Sequence, residues 1–147
     1  MIRKVVLEDE EILKKIAIER LEPLYGNQDK AINGWLYGSD NKIAYVKIIN
    51  DNIAGLLSLK DNEKKDYLKI STLLVLDSYK GNGIASELLT YAENYALSKK
   101  YKKIKVTVSD IKNESLCFFK KKNFNTTDKI FGKYIPNVYE NIMEKEV

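Results

Sequence analysis

Leu73-Leu74-Val75-Leu76-Asp77-Ser78-Tyr79-Lys80-Gly81-Asn82-Gly83-Ile84-Ala85-Ser86 is the stretch on which the reading of this chain turns. An apolar segment runs into a short polar turn with two glycines, and a helical pattern opens directly after it. The first N–H groups of a helix have no intrahelical acceptor. They point outward with the positive end of the helix dipole behind them. Gly81 and Gly83 carry no Cβ, so the backbone can curl closely around an anion. Lys80, Gly81, Asn82, Gly83, Ile84, Ala85 and Ser86 are therefore candidates for holding a phosphate. A nucleoside-triphosphate loop would need four residues between its glycines, then Lys and Ser or Thr. A dinucleotide fingerprint would need glycine in place of Ser86 and an acid about 20 positions on, where Lys102-Lys103 stands. Both patterns fail. The turn alone stands evenly between a phosphate site and an ordinary strand-to-helix connection.

Working outward, residues 67–76 form the longest β-like run. It begins alternating and ends continuously apolar, which predicts a strand whose end is buried on both faces. Residues 43–49 and 53–59 read as a hairpin around Asn50-Asp51-Asn52. Residues 5–7 read as a short first strand, followed by a helix capped by Asp9 and running through Arg20. Pro23 and Gly26 break it, and residues 29–36 read as a second helix. Downstream, the period predicts a helix over 84–99, a strand over 104–108, a helix over 113–122, and strands near 127–131 and 139–145. The order β-α-α-β-β-β-α-β-α-β-β predicts a mixed α/β sheet with helices packed on it.

The 147 residues suit a single domain, 1–147. Hydrophobic content of 44% and charged content of 31% place it among ordinary soluble domains. No apolar run reaches the roughly 20 residues that span a bilayer. Met1-Ile2-Arg3-Lys4-Val5-Val6-Leu7 turns acidic at Glu8, unlike a signal peptide. The chain reads as cytoplasmic, with no membrane partner. With one cysteine and no histidine, it offers neither a disulfide nor a metal site, and no Ser-His or Cys-His chemistry. A general base must be Asp, Glu, Tyr, Lys, a terminus or water. The net charge of +4 comes almost wholly from lysine, with Arg3 and Arg20 the only arginines. That speaks against a nucleic-acid partner, whose recognition draws on Arg. It fits a polyanionic small ligand or a solvated surface.

The organisation resembles the GNAT superfamily of acyl-CoA-dependent N-acetyltransferases over nearly the full length. Lys80, Gly83 and Ala85 occupy the positions of that family's Q/R-x-x-G-x-G/A signature. Residues 73–79 look like its strand-to-loop lead-in, and Gly55 stands where the family often has Val-Gly. Asn113-Glu114-Ser115-Leu116-Cys117-Phe118-Phe119-Lys120-Lys121-Lys122-Asn123-Phe124 resembles its Asn…Tyr-x-x-x-Gly-Phe segment. The resemblance implies a mostly antiparallel sheet of about seven strands with about four helices, splayed between strands four and five. It implies acetyl-CoA as cosubstrate, with the pantetheine arm against Leu73, Leu74 and Val75 and the pyrophosphate on the Lys80–Ser86 turn. It places Asn113 and Phe119 beside the cofactor and makes the Val75 N–H an oxyanion donor. The acceptor would be a small-molecule or peptide amine attacking directly, and a homodimer is common in the family.

The departures carry as much information. Lys80 replaces Arg or Gln and offers a point charge without the planar fork. Phe119 stands where most members place a proton-donating tyrosine. Asn113 lies one residue nearer Phe119 than usual, and reads equally well as a helix cap. No carboxylate occurs from Lys69 through Leu76, so the base candidates are Glu22, Asp66, or a water held by Ser71 or Thr72. Cys117 reads as a small core residue. Trp35 and Tyr25 read either as acceptor-pocket wall or as core. A non-catalytic acyl-CoA sensor is the alternative reading.

Overall fold

The β-branched and aromatic runs become seven strands of one sheet in a computed structural model that describes all residues, Met1–Val147. In chain order they are β1 (Ile2–Lys4), α1 (Glu10–Arg20), α2 (Glu22–Tyr25), α3 (Asp29–Tyr37), β2 (Lys42–Ile49), β3 (Asn52–Lys60) and β4 (Tyr67–Val75). There follow α4 (Ile84–Ser98), β5 (Lys103–Ser109), α5 (Asn113–Lys121), β6 (Asn125–Phe131) and β7 (Tyr139–Glu146). The spatial order is β1-β2-β3-β4-β5-β7-β6. Every neighbouring pair is antiparallel except β4 with β5.

The sheet is covered on both faces. Leu57, Leu59, Leu68, Ile70, Ile104 and Val106 pack beneath α4 and α5, against Ile84, Leu88, Leu89, Ala92 and Phe119. On the other face Val46, Ile53 and Leu56 meet Leu13, Ile16 and Ala17 of α1 and Ile32 and Trp35 of α3. Each fully buried Leu or Ile here contributes on the order of 1.5–3 kcal/mol. Gly55 explains how α4 comes so close to β3. A Cβ there would stand 3.0 Å from Leu88 Cδ1 and 3.1 Å from Ile84 Cγ2.

Several expected boundaries move for physical reasons. The first strand lies at residues 2–4, and Leu7–Asp9 is a 3-10 turn. Asp9 does not cap α1 with its side chain. Its carboxylate accepts from the Val6 N–H at 2.9 Å and from Arg3 Nη1 and Nη2, each at 2.9 Å, which turns the chain early. Pro23 does not simply break the helix. It sits in the first turn of α2, where its missing N–H costs nothing. The apolar end of β4 is not buried on both faces. Leu73, Leu74 and Val75 are only half-buried, because the neighbouring strand leaves them.

Candidate functional site

β4 and β5 pair only from Tyr67↔Lys103 to Ile70↔Val106. Beyond that β5 stays with β7, as far as Ser109↔Glu140, and β4 stays with β3, as far as Val75↔Gly55. The strands thus open as a V toward their C-terminal ends. The register of β4 on β3 jumps between Thr72↔Ser58 and Ile70↔Leu59, leaving Ser71 as an extra residue. Such a bulge bends its strand and increases the twist, here turning β4 away from β5. The Leu76 N–H donates to Ala54 O at 2.9 Å. By antiparallel alternation Leu74 also turns its backbone to β3, while Leu73 and Val75 turn theirs into the V. Val75 O accepts from Arg20 Nη1 at 3.4 Å, from the end of α1.

The glycine turn closes the open end. Asp77–Tyr79 is a single 3-10 turn. Gly81 and Gly83 adopt φ of +82° and +74°, and nothing lies within 4 Å of where a Cβ would stand on either. No protein acceptor takes the backbone N–H of Gly81, Asn82, Gly83, Ile84, Ala85 or Ser86; the first amide engaged is that of Glu87, on Gly83 O at 3.0 Å. Asn82 Nδ2 donates to Tyr79 O at 3.0 Å and fixes the loop. Asp77 Oδ1 lies 3.2 Å from Lys80 Nζ and 3.5 Å from Arg20 Nη1. Burial, then the positive charges of Arg20 and Lys80, push the Lys112 ammonium below its ordinary pKa. Arg20, Lys80 and Lys112 thus lie close enough to feel one another's charge, beside the lead-in to a row of free N–H donors.

The face of the V away from α4 is roofed by α2 and by the β6–β7 loop. The Tyr25 and Tyr134 rings meet edge to face, 5.8 Å apart. Glu140 is 2% exposed, and its charge is felt at the Tyr25 hydroxyl. Burial pushes its carboxyl above the ordinary glutamate value and the charge of Asp110 adds to this. The Ser109 hydroxyl and Lys133 oppose the shift.

A scan of the sequence against family models matches the acetyltransferase (GNAT) family over residues 10–124. The chain belongs to the GNAT acetyltransferase family. The fold agrees with solved GNAT structures. Arabidopsis thaliana NAA60 in complex with a bisubstrate analogue superposes with TM-score 0.84 at 16% identity, over 99% of this chain and 97% of that one. An aminoglycoside 6'-N-acetyltransferase with coenzyme A gives 0.82 at 14%, over 99% and 96%. Mutant forms of the spermidine/spermine N-acetyltransferase SpeG from Vibrio cholerae give 0.81 at 13%, over 99% and 92%. No curated protein sequence matches the chain.

Within this GNAT fold the expected site residues separate into two groups. Leu73, Val75, Lys80 and residues 81–86 converge on the V and its closing turn. Phe119 is buried at 4% and packed between Phe118 and Phe124, with centroids 5.2 and 5.1 Å away. Asn113 is exposed and is the first residue of α5, not its cap; Lys112 holds the cap position and also the usual family spacing to Phe119. Asp66 is exposed at the start of β4, at the closed end of the V. Glu22 is exposed at the start of α2. Trp35 is core, 3% exposed. Cys117 is exposed, not buried as its apolar neighbours suggested, because Phe119 takes the inward face of α5. Sequence reading missed Arg20, Lys112 and Glu140. Only Lys112 left a signal there, its spacing from Phe119.

Proposed function

We propose that this chain transfers an acetyl group from acetyl-CoA to a primary amine by direct attack. One observation carries the reading: an open strand edge at Leu73 and Val75 leads straight to six consecutive free N–H groups at residues 81–86. That geometry fits an extended amide-bearing arm ending in a pyrophosphate. The arm adds to β4 as a strand would, and the diphosphate sits on the α4 N-terminus, with Lys80, Arg20 and Lys112 supplying charge. The half-buried Leu73 and Val75 give the arm an apolar wall. The Val75 N–H, aimed into the V, serves as donor to the thioester oxygen as negative charge gathers there. Phe119 brings no proton to the departing thiolate, so solvent supplies it. Similar structures include Arabidopsis thaliana NAA60 in complex with acetyl-CoA and a spermidine/spermine N-acetyltransferase; these support the substrate class without naming this chain's acceptor. No helix is long and apolar enough to cross a membrane.

Acetyl-CoA is expected to raise the melting temperature, and a thiol reagent is expected to register coenzyme A release with at least one member of an amine panel. Absence of a thermal shift would remove the proposal. Tight binding with no release for any amine would favour a sensor, the reading that the proton-free Phe119 supports.

A further inference from the structure

At the closed end of the V, on the face away from α4, the strand register sets lysines side by side. Lys42 stands opposite Lys60, Lys60 opposite Lys69, and Lys69 opposite Lys105. Residues directly opposite each other in a sheet share a face. Leu68, Ile70, Ile104 and Val106, which alternate with these lysines on β4 and β5, hold the α4 side. At one strand spacing per step the row is about 14 Å long. Alternate members are answered: Lys60 by Asp40 and Lys105 by Glu144. Lys42 and Lys69 pair with no carboxylate, and both are half-buried. Burial lowers the pKa of both ammonium groups, and the charge of Lys60 works in the same direction on each. The fold makes room for Lys42 at a cost. Gly34 lies inside α3, where glycine is unfavourable, and a Cβ there would collide with the stem of Lys42. The row is thus a built surface whose positive charge exceeds what the chain itself supplies to answer it.

Length and chemistry select the occupant. The row crosses β4 at Lys69, while the open edge of β4 lies at Leu73 and Val75. At the rise of a strand, Lys69 and Leu73 are about 10–13 Å apart. A small amine does not span that distance and the row as well. An extended polypeptide covers it in about four residues. Nucleic acid fits less well, since its recognition draws on Arg and on bases stacked against aromatic rings. Arg3 is bound to Asp9 and Arg20 to Asp77. The Tyr67 ring, at the row, is already covered by Lys105 Nζ, 4.2 Å from its centre. We propose that the lysine row is the docking surface for an acidic polypeptide whose amine is the acceptor, with its carboxylates on Lys42 and Lys69 and its amine in the V. For the amine this rests on the acetyl-transfer reading; the docking is read without turnover. Carboxylates on the row relieve the repulsion that the free chain carries there.

The test uses the whole chain with coenzyme A bound. The probes are a fluorescent peptide with a free amino terminus and glutamates at alternate positions from about the fourth residue on, its glutamine counterpart, a uridine oligonucleotide and inorganic phosphate. At low salt the glutamate peptide is expected to bind at least about tenfold more tightly than the glutamine peptide. The gap is expected to close as salt is raised. Lys42→Met and Lys69→Met are each expected to weaken the glutamate peptide about 3–30-fold and to leave the glutamine peptide within about twofold. Lys69→Met removes repulsion, so its melting temperature is expected to hold or rise, which separates lost binding from lost folding. Lys15→Met, the same change on the exposed face of α1, is expected to keep glutamate-peptide binding within about twofold. In turnover the glutamate peptide is expected to show the lower KM at a similar kcat, as remote binding does. Equal binding of the two peptides, no binding of the glutamate peptide, or equal losses in Lys15→Met and Lys69→Met overturns the proposal. Tighter binding of the oligonucleotide, or phosphate binding as tightly as the glutamate peptide, also overturns it. The acetyl-CoA thermal shift checks the underlying reading separately and is expected to persist in all three variants. Its absence from the unaltered chain, with the glutamate preference intact, strikes acetyl transfer and leaves the docking surface standing.

Discussion

At the scale of single residues, Gly83 is the most exacting position in the donor half of the site. Its φ of +74° is a conformation that side chains other than glycine resist. The space in front of it is open, so a large side chain would enter the cradle without striking the protein. Gly83→Trp is expected to remain folded with a modest loss of melting temperature, and to lose the acetyl-CoA thermal shift altogether. Gly83→Asn, which tolerates left-handed backbone better, controls for strain. It is expected to keep the melting temperature nearer that of the unaltered chain while still weakening the shift. If Gly83→Trp keeps the shift, the pyrophosphate does not sit on this turn. The turn was readable in the sequence because its meaning is local: glycine, polar residue, glycine and helix start are neighbours in the chain. Glu140 was not readable. Its unpaired burial depends on where the fold sets it, opposite Ser109 at the end of β5, and nothing around position 140 announces that.

At the scale of elements, the strand register creates a feature that no local pattern contains. Lys42 pairs with Lys60, Lys60 with Lys69, and Lys69 with Lys105, so four lysines stand in line across β2, β3, β4 and β5. Like charges directly opposite one another destabilise a sheet. Two are compensated: Lys60 by Asp40 at 2.9 Å and Lys105 by Glu144 at 3.0 Å. Lys42 and Lys69 have no acidic partner. Burial, then the charges of Lys133, Lys60 and Lys42, lower the Lys69 pKa. The folded chain therefore releases this proton at a lower pH than the unfolded chain does. Below the lowered value the full penalty is present, and stability rises with pH as the group titrates toward its ordinary value. Lys69→Met, which keeps the apolar stem, is expected to stabilise the fold by up to about 1 kcal/mol at neutral pH and low salt. The gain is expected to shrink at high salt and as the pH approaches the ordinary lysine value. Chemical denaturation across pH and ionic strength would measure it, and a loss of stability at low salt would contradict it. The strands themselves were legible from β-branched runs and turn residues. The row was not, because it depends on the Ser71 bulge and on two hairpin registers. The same bulge explains why the apolar end of β4 misled: continuous hydrophobicity there marks a surface that the departure of β5 leaves half-open.

At the scale of the whole molecule, the V nearly divides the sheet. β1 to β4 with α1 to α3 make one half, and β5, β7 and β6 with α5 make the other. They are joined by the short ladder from Tyr67↔Lys103 to Ile70↔Val106 and by α4, whose buried residues pack against both sides. Inside each half the ladders are longer: β2 and β3 pair along their full length, and β5 stays on β7 from Lys103 to Ser109. A ligand seated in the V would complete the missing hydrogen bonds of Leu73 and Val75 and of residues 81–86, and would fill the space between the halves. Its binding is therefore expected to appear as added cohesion, not as a local effect. At a concentration of acetyl-CoA 100 times Kd, linkage adds about 2.7 kcal/mol to stability. For a domain of this size that corresponds to a rise in melting temperature of about 5–11 °C. Amide exchange should locate the same energy. The N–H groups of Leu73, Val75 and residues 81–86 are expected to gain the most protection, and Thr107, Val108 and Ser109 a smaller gain as the far arm is steadied. The β2–β3 ladder, which is already complete, is expected to change little. A thermal rise with protection confined to α4, or spread evenly over all strands, would mean that the ligand does not lie between β4 and β5.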